Sequence, residues 1–122
     1  MVATSEKHTV HVFVSRDRFV SRADVEAYVH STYSPDGDSL PSAFVLEVDL
    51  VENEPMCVEI LHAGGPVRLG QLVESLSYAA QWSDGLDPTL VADAVICVYS
   101  PNEVQNPAGA SVTYLGAFSF AP

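Results

Sequence analysis

The most continuous apolar stretch of the chain is Asp93 to Tyr99, DAVICVY. A short run without polar alternation, bounded by turn residues, reads as a strand buried in the middle of a sheet. It commits the chain to a sheet-centred fold. His8 to Ser15 alternates instead, with Val10, Val12 and Val14 facing one way and Thr9, His11 and Phe13 the other, the mark of a strand with a filled core side. Met56 to His62 is a compact apolar strand interrupted by Glu59, and Ser111 to Phe120 is a final strand with Val112, Tyr114, Phe118 and Phe120 expected on one side. Gly116 in that strand is a candidate bulge or close approach.

Two helices complete the pattern. The first starts at Ser21, with Asp24 placed as in a capping box and Val20 and Val25 placed as a hydrophobic staple. Val25, Tyr28, Val29 and Thr32 recur at helical spacing, and the helix is expected to run to about Tyr33, ahead of Pro35. The second is predicted from Leu69 to Trp82, with Leu69, Leu72, Val73, Leu76 and Ala80 on its core face. Between them, Ser34 to Pro41 (SPDGDSLP) is a turn-rich loop. Ser42 to Val51 fits either strand alternation or a short helical face, and a short helix or irregular segment is favoured. Glu52 to Pro55 makes a second acidic turn, and Ser100 to Ala110 a long polar loop through which the last two strands are expected to pair. The resulting expectation is an α+β single-domain sandwich: about four mainly antiparallel strands with two main helices on one face. Residues 1–7 read as a loose N-terminal tail and 8–122 as the domain.

Composition narrows the function. Of the 122 residues, 48% are hydrophobic and 17% charged, which excludes a disordered chain. No apolar run approaches the roughly 20 residues that span a bilayer. The polar start shows no secretory pattern, so a cytoplasmic protein is expected, with Cys57 and Cys97 as reduced core residues. The formal net charge is −11. From Ala23 onward there are fourteen acidic residues and one basic residue, Arg68. A field of that sign attracts cationic partners, and it repels nucleic acid and anionic membrane. It also serves plain solubility.

Signatures of chemistry are sparse. His8 and His11 point to opposite faces of a strand, and His30 and His62 stand alone, so no zinc site is expected. Asp36-Gly37-Asp38 is a fragment of a calcium loop without its remaining ligands. There is no GxSxG elbow, phosphate-cradling glycine loop or GxGxxG. No catalytic residue, cofactor or metal is assigned, and the chain is not read as an enzyme. Glu59 is either a buried carboxylate or the solvent side of an alternating strand.

The candidate residues are instead those of a binding surface. Asp36, Asp38, Glu47, Asp49, Glu52 and Glu54 fall within nineteen residues that hold no basic residue. They either gather into one patch or disperse over a solvated surface. On the second helix, Tyr78 falls opposite the core face at about 100° per residue and Trp82 lies beside it, with Asp84 just beyond. The two aromatics are either anchors for a partner or side chains covered by the Ser83 to Leu90 loop.

The order VHVFVS, AYVHSTYSPDGD, SAFVLE, MCVEIL, LGQLVESLSYAAQW and AVICVY resembles the bacterial polymorphic-toxin immunity proteins of the "immunity protein 22" type over nearly the whole chain after residue 8. The resemblance implies a small cytoplasmic α+β inhibitor that binds and neutralises a cognate toxin, often a nuclease. A nuclease cleft must be basic to hold phosphates, so an acidic plug can cover it. Three other readings stay open: an acidic nucleic-acid mimic acting on another enzyme, a small-ligand-binding or enzymatic α+β domain, and an oligomerisation module whose last strand pairs with a second copy as a homodimer.

Overall fold

The computed structural model describes residues 8–51 and 54–121. The tail expected at 1–7 and the candidate Glu52 lie outside the described residues. In chain order the elements are β1 (His8–Ser15), α1 (Arg22–Val29), β2 (Thr32–Tyr33), β3 (Ser39–Leu40), α2 (Ala43–Val48), β4 (Leu50–Val51), β5 (Val58–Arg68), α3 (Leu69–Val73), α4 (Ala79–Trp82), β6 (Val91–Tyr99), β7 (Glu103–Val104) and β8 (Thr113–Phe120). β5, β6, β1 and β8 form a four-stranded sheet in that order, and every neighbouring pair is antiparallel. Two small ribbons, β2 with β3 and β4 with β7, complete the strand pairing. The fold is the expected α+β class with a four-stranded antiparallel sheet.

β6 is the buried centre that its sequence predicts: every residue from Ala92 to Tyr99 is buried. Because successive side chains alternate between faces, a strand buried throughout needs cover on both. Val95, Cys97 and Tyr99 join Val10, Val12 and Val14 of β1 under α3 and α4, with Leu69, Leu72, Val73, Leu76 and Trp82. Ala94, Ile96 and Val98 join Phe13 and Ile60 under α1 and α2, with Val25, Tyr28, Val29, Phe44 and Val48. The expectation of both main helices on one face is therefore corrected: one helical layer lies on each side of the sheet.

Three further expectations change. The last two strands do not pair with each other, because β1 lies between β6 and β8. β8 carries a bulge opposite the Val12–Phe13 step, where Gly116 takes φ 130°. An extra residue flips the following side chains to the other face, so Val112 and Tyr114 serve the α1–α2 layer while Phe118 and Phe120 serve the α3–α4 layer. At α1, Ser21 makes no side-chain cap; the Asp24 carboxylate instead accepts the Val20 amide at 3.0 Å, and Val20 is exposed, so no staple forms.

Polar groups tie the layers together. The Ser42 hydroxyl accepts the Val45 amide at 3.1 Å to start α2 and donates to the Val29 carbonyl at 2.7 Å at the end of α1. Buried Asp93 accepts the Asp17 amide at 2.8 Å and holds the turn after β1. The buried Asn102 amide pairs with both backbone groups of Glu54, at 2.8 and 2.9 Å. Cys97 is buried and Cys57 half-buried, and both are free thiols.

Gly109 sits where the 107–109 turn meets the end of α2. A Cβ there would run into the Glu47 carbonyl oxygen and the Asn106 amide. Backbone cannot give way cheaply at such a contact, so Gly109→Ala should destabilise the fold by about 1–3 kcal/mol, read as a lower urea midpoint at unchanged slope.

Candidate partner-binding surface

The link from α1 to α2 folds back as a hairpin because Ser34-Pro35-Asp36-Gly37-Asp38 has the chemistry of a tight turn. The Ser34 amide donates to the Asp38 carbonyl at 2.9 Å, and the Gly37 amide to the Ser34 carbonyl at 2.9 Å. The Ser34 hydroxyl accepts the Asp38 amide at 3.1 Å. Gly37 closes the three-residue loop at φ 86°, a left-handed conformation that suits glycine. The first helix accordingly stops at Val29, and Thr32 and Tyr33 are strand rather than its last turn. Asp36 and Asp38 stand in solvent at the tip, with Tyr33 (76% exposed) and Leu40 (48%) on the strands behind them.

α2 extends this surface. It buries Phe44 and Val48 and turns Leu46 outward, 69% exposed. Exposed Asp49 closes the helix in the left-handed region at φ 52°. The segment 33–49 thus carries three solvated carboxylates, Asp36, Asp38 and Asp49, among three projecting apolar side chains. Tyr33, Leu40 and Leu46 escaped the sequence reading. For Tyr33 the signal was the turn chemistry of Ser34 to Gly37, which leaves no room for the last helical turn expected there.

Glu47 does not belong to the free surface. Its carboxylate accepts the Tyr28 hydroxyl at 2.5 Å and both the amide and hydroxyl of Ser111 at 2.8 Å. Burial pushes its pKa up, but these hydrogen bonds, helped by the charge of Arg18, outweigh that and hold the carboxyl below the usual range. Glu47 therefore ties α1 and α2 to the start of β8. Glu54 is half-buried, and its carboxylate accepts the Met56 amide at 3.2 Å. Asp84 is exposed on the rim of a cavity of about 360 Å³ lined by Leu69, Val73, Leu86 and Pro88, with Glu74 also at its edge.

The second predicted helix is broken. α3 ends at Val73, α4 begins at Ala79, and Tyr78 between them takes φ 58°. The break shifts the helical phase, so Ala79 is buried where Ala80 was expected. Trp82 is only 2% exposed, and its indole N–H donates to the Ser77 carbonyl at 3.0 Å. It packs with Leu86 in the core and is corrected from surface anchor to core residue. Tyr78 stays 43% exposed and stacks on Phe120, ring centroids 4.9 Å apart.

Among the described residues two ion pairs form, Arg16 with Asp17 and Arg22 with Glu26. Arg18 lies over the Phe19 and Tyr28 rings and donates to the Ser111 carbonyl at 3.1 Å. Arg16, Arg18 and Arg22 are thus engaged near β1 and α1, Arg68 stands at the end of β5, and within the described structure Asp36, Asp38, Asp49 and Asp84 have no ion-pair partner. His62 is internally bonded through both nitrogens, to the Phe19 carbonyl at 2.9 Å and the Gly64 amide at 3.0 Å. His11 meets the Tyr114 hydroxyl at 3.0 Å, and burial lowers its pKa. Among the described residues no group of three His, Cys, Asp or Glu could hold a metal ion.

Two outcomes follow. Glu47→Gln should cost about 1–2 kcal/mol near neutral pH, since charge-assisted hydrogen bonds exceed neutral ones. A depressed carboxyl pKa contributes stability that is present above the unfolded value and lost as pH falls through the folded one. The gap between wild type and Glu47→Gln should therefore narrow in urea melts as pH drops through the carboxylate range. Trp82→Ala should cost about 3–5 kcal/mol, as for a core aromatic, and the loss should appear in stability of the free protein.

Comparison of the chain with protein-family models, with curated proteins and with solved structures found no match, so the functional reading rests on this surface and on the sequence pattern.

Proposed function

We propose that the chain is a binding protein that neutralises a basic bacterial toxin, in the manner of the immunity proteins whose sequence order it resembles. The observation that carries this reading is segment 33–49, which exposes Asp36, Asp38 and Asp49 without ion-pair partners among the described residues, together with Tyr33 and Leu40 on opposite faces of the β2–β3 ribbon and Leu46 on α2. Carboxylates of this kind speed encounter with a cationic surface, and projecting aromatic and aliphatic side chains supply the lasting contact. Asp84 adds negative charge at the α3–α4 layer. The action is occlusion, with no turnover and no cofactor, and the setting is the cytoplasm. No helix in the described structure is long and apolar enough to cross a membrane.

The test starts from the native host. The full chain is used to capture its partner, and the purified partner is assayed for toxicity to growing cells with and without the chain. Asp36→Lys with Asp38→Lys should slow association about tenfold or more at low salt, and less at high salt, where screening is strong. Tyr33→Ala should speed dissociation about tenfold with little change in association rate. A partner without toxicity, or unchanged kinetics in both variants, refutes the reading.

A further inference from the structure

At one end of the main sheet, where β5 and β1 begin and β6 and β8 end, a cavity of about 260 Å³ opens beneath the Ser77–Tyr78 link. Tyr78, Tyr99 and Phe120 line it together with His8, Met56 and Glu59. We infer that this cavity binds a compact organic cation, an alkylammonium or guanidinium group, between the aromatic rings and Glu59.

The rings form a connected set around Phe120. Tyr78 stacks on it at 4.9 Å, Tyr99 meets it edge-on at 5.5 Å and 86°, and His8 lies 5.5 Å away. Ring faces attract cations, most strongly where water is partly excluded. Glu59 adds a formal negative charge. One of its oxygens accepts the Ser77 amide at 3.0 Å, and among the described residues no cation lies within ion-pair distance of it. The Tyr99 hydroxyl donates to the Ser77 carbonyl at 3.0 Å. Burial first, then Cys97 and Glu59, raise its pKa well above the usual range, so Tyr99 stays neutral and adds no second negative charge.

Tyr78 stacks on Phe120 while holding φ 58°, a conformation that costs a non-glycine residue energy and that gathers at binding sites. Of the lining residues, Met56 is 88% exposed and Tyr78 is 43% exposed. The volume falls below the roughly 300–1,000 Å³ of drug-sized pockets, which suits a single head group. The hairpin that joins α1 to α2 belongs to the other side of the sheet, so the ligand chemistry of this cavity does not depend on what that hairpin binds.

The experiment is an NMR titration of the full chain with butylammonium, butylguanidinium and neutral butanol, following the Ser77 and Tyr78 amides and the Tyr99 ring. Both cations should bind about tenfold or more tightly than butanol. Glu59→Gln keeps an acceptor for the Ser77 amide and should weaken cation binding about tenfold. Tyr78→Gly removes the ring at a φ that glycine favours, so the fold stands while binding falls about tenfold. A capped Gly-Arg-Gly peptide separates the sources: binding equal to butylguanidinium assigns a protein side chain, and weaker binding assigns a free small molecule. The titration is repeated on Lys7→Ala. Equal binding by the two proteins supports the inference, whereas binding only by Lys7→Ala would show that the chain's own lysine fills the site. That result, equal affinity for butanol, or no shift of these resonances overturns it.

Discussion

Burial of β6 on both faces is the constraint from which the architecture follows. Its residues from Ala92 to Tyr99 leave no wet side, and each buried aliphatic side chain contributes about 1.5–3 kcal/mol only if something apolar meets it. One helical layer can satisfy half of them. The chain therefore splits its helices, with α1 and α2 against Ala94, Ile96 and Val98, and α3 and α4 against Val95, Cys97 and Tyr99. The β1 strand can sit beside β6 because Phe13 feeds one layer while Val10, Val12 and Val14 feed the other. The Gly116 bulge lets β8 do the same at the edge, with Tyr114 on one side and Phe120 on the other.

That arrangement sorts the carboxylates into two kinds. Asp93, Glu47 and Glu59 face backbone amides or hydroxyls and act as joints: Asp93 holds the turn after β1, Glu47 the start of β8, and Glu59 the α3–α4 link. Asp36, Asp38, Asp49 and Asp84 are in solvent. The joints spend a carboxylate oxygen on the backbone, while the solvated set adds to the external field of the −11 chain. Charge reversal at a joint would test stability, while the same change at Asp36 or Asp38 would test recognition.

Much of the fold was legible because local periodicity and burial agree. The Val10, Val12, Val14 alternation, the DAVICVY run, the Gly116 bulge and the short helix at 43–48 all appear in the structure. Sheet order was not legible, since β1 pairs with β8 across about a hundred residues and nothing local records that choice. The uniform apolarity of DAVICVY did imply two covered faces, and the expectation of helices on one face read it too weakly. At 32–33, helical spacing of Thr32 was outweighed by the Ser34–Gly37 turn, whose hydrogen bonds pull Tyr33 into a hairpin.

The candidate surface was legible in its charge and not in its aromatics, and the reason is a single residue. Placing Tyr78 and Trp82 on one outer face assumes an unbroken helix turning about 100° per residue. Tyr78 at φ 58° breaks that count. Everything after it is rotated, so Ala79 and Trp82 swing into the core while Tyr78 stays outside on Phe120. Two aromatics four residues apart thereby take opposite roles. A left-handed tyrosine has no sequence mark of the kind a glycine supplies, so the phase shift was invisible. Of the side chains that do project near solvated carboxylates, Tyr33 is displaced from the expected helix end and Leu40 from the expected loop, by a turn whose Pro35 and Gly37 were in plain view.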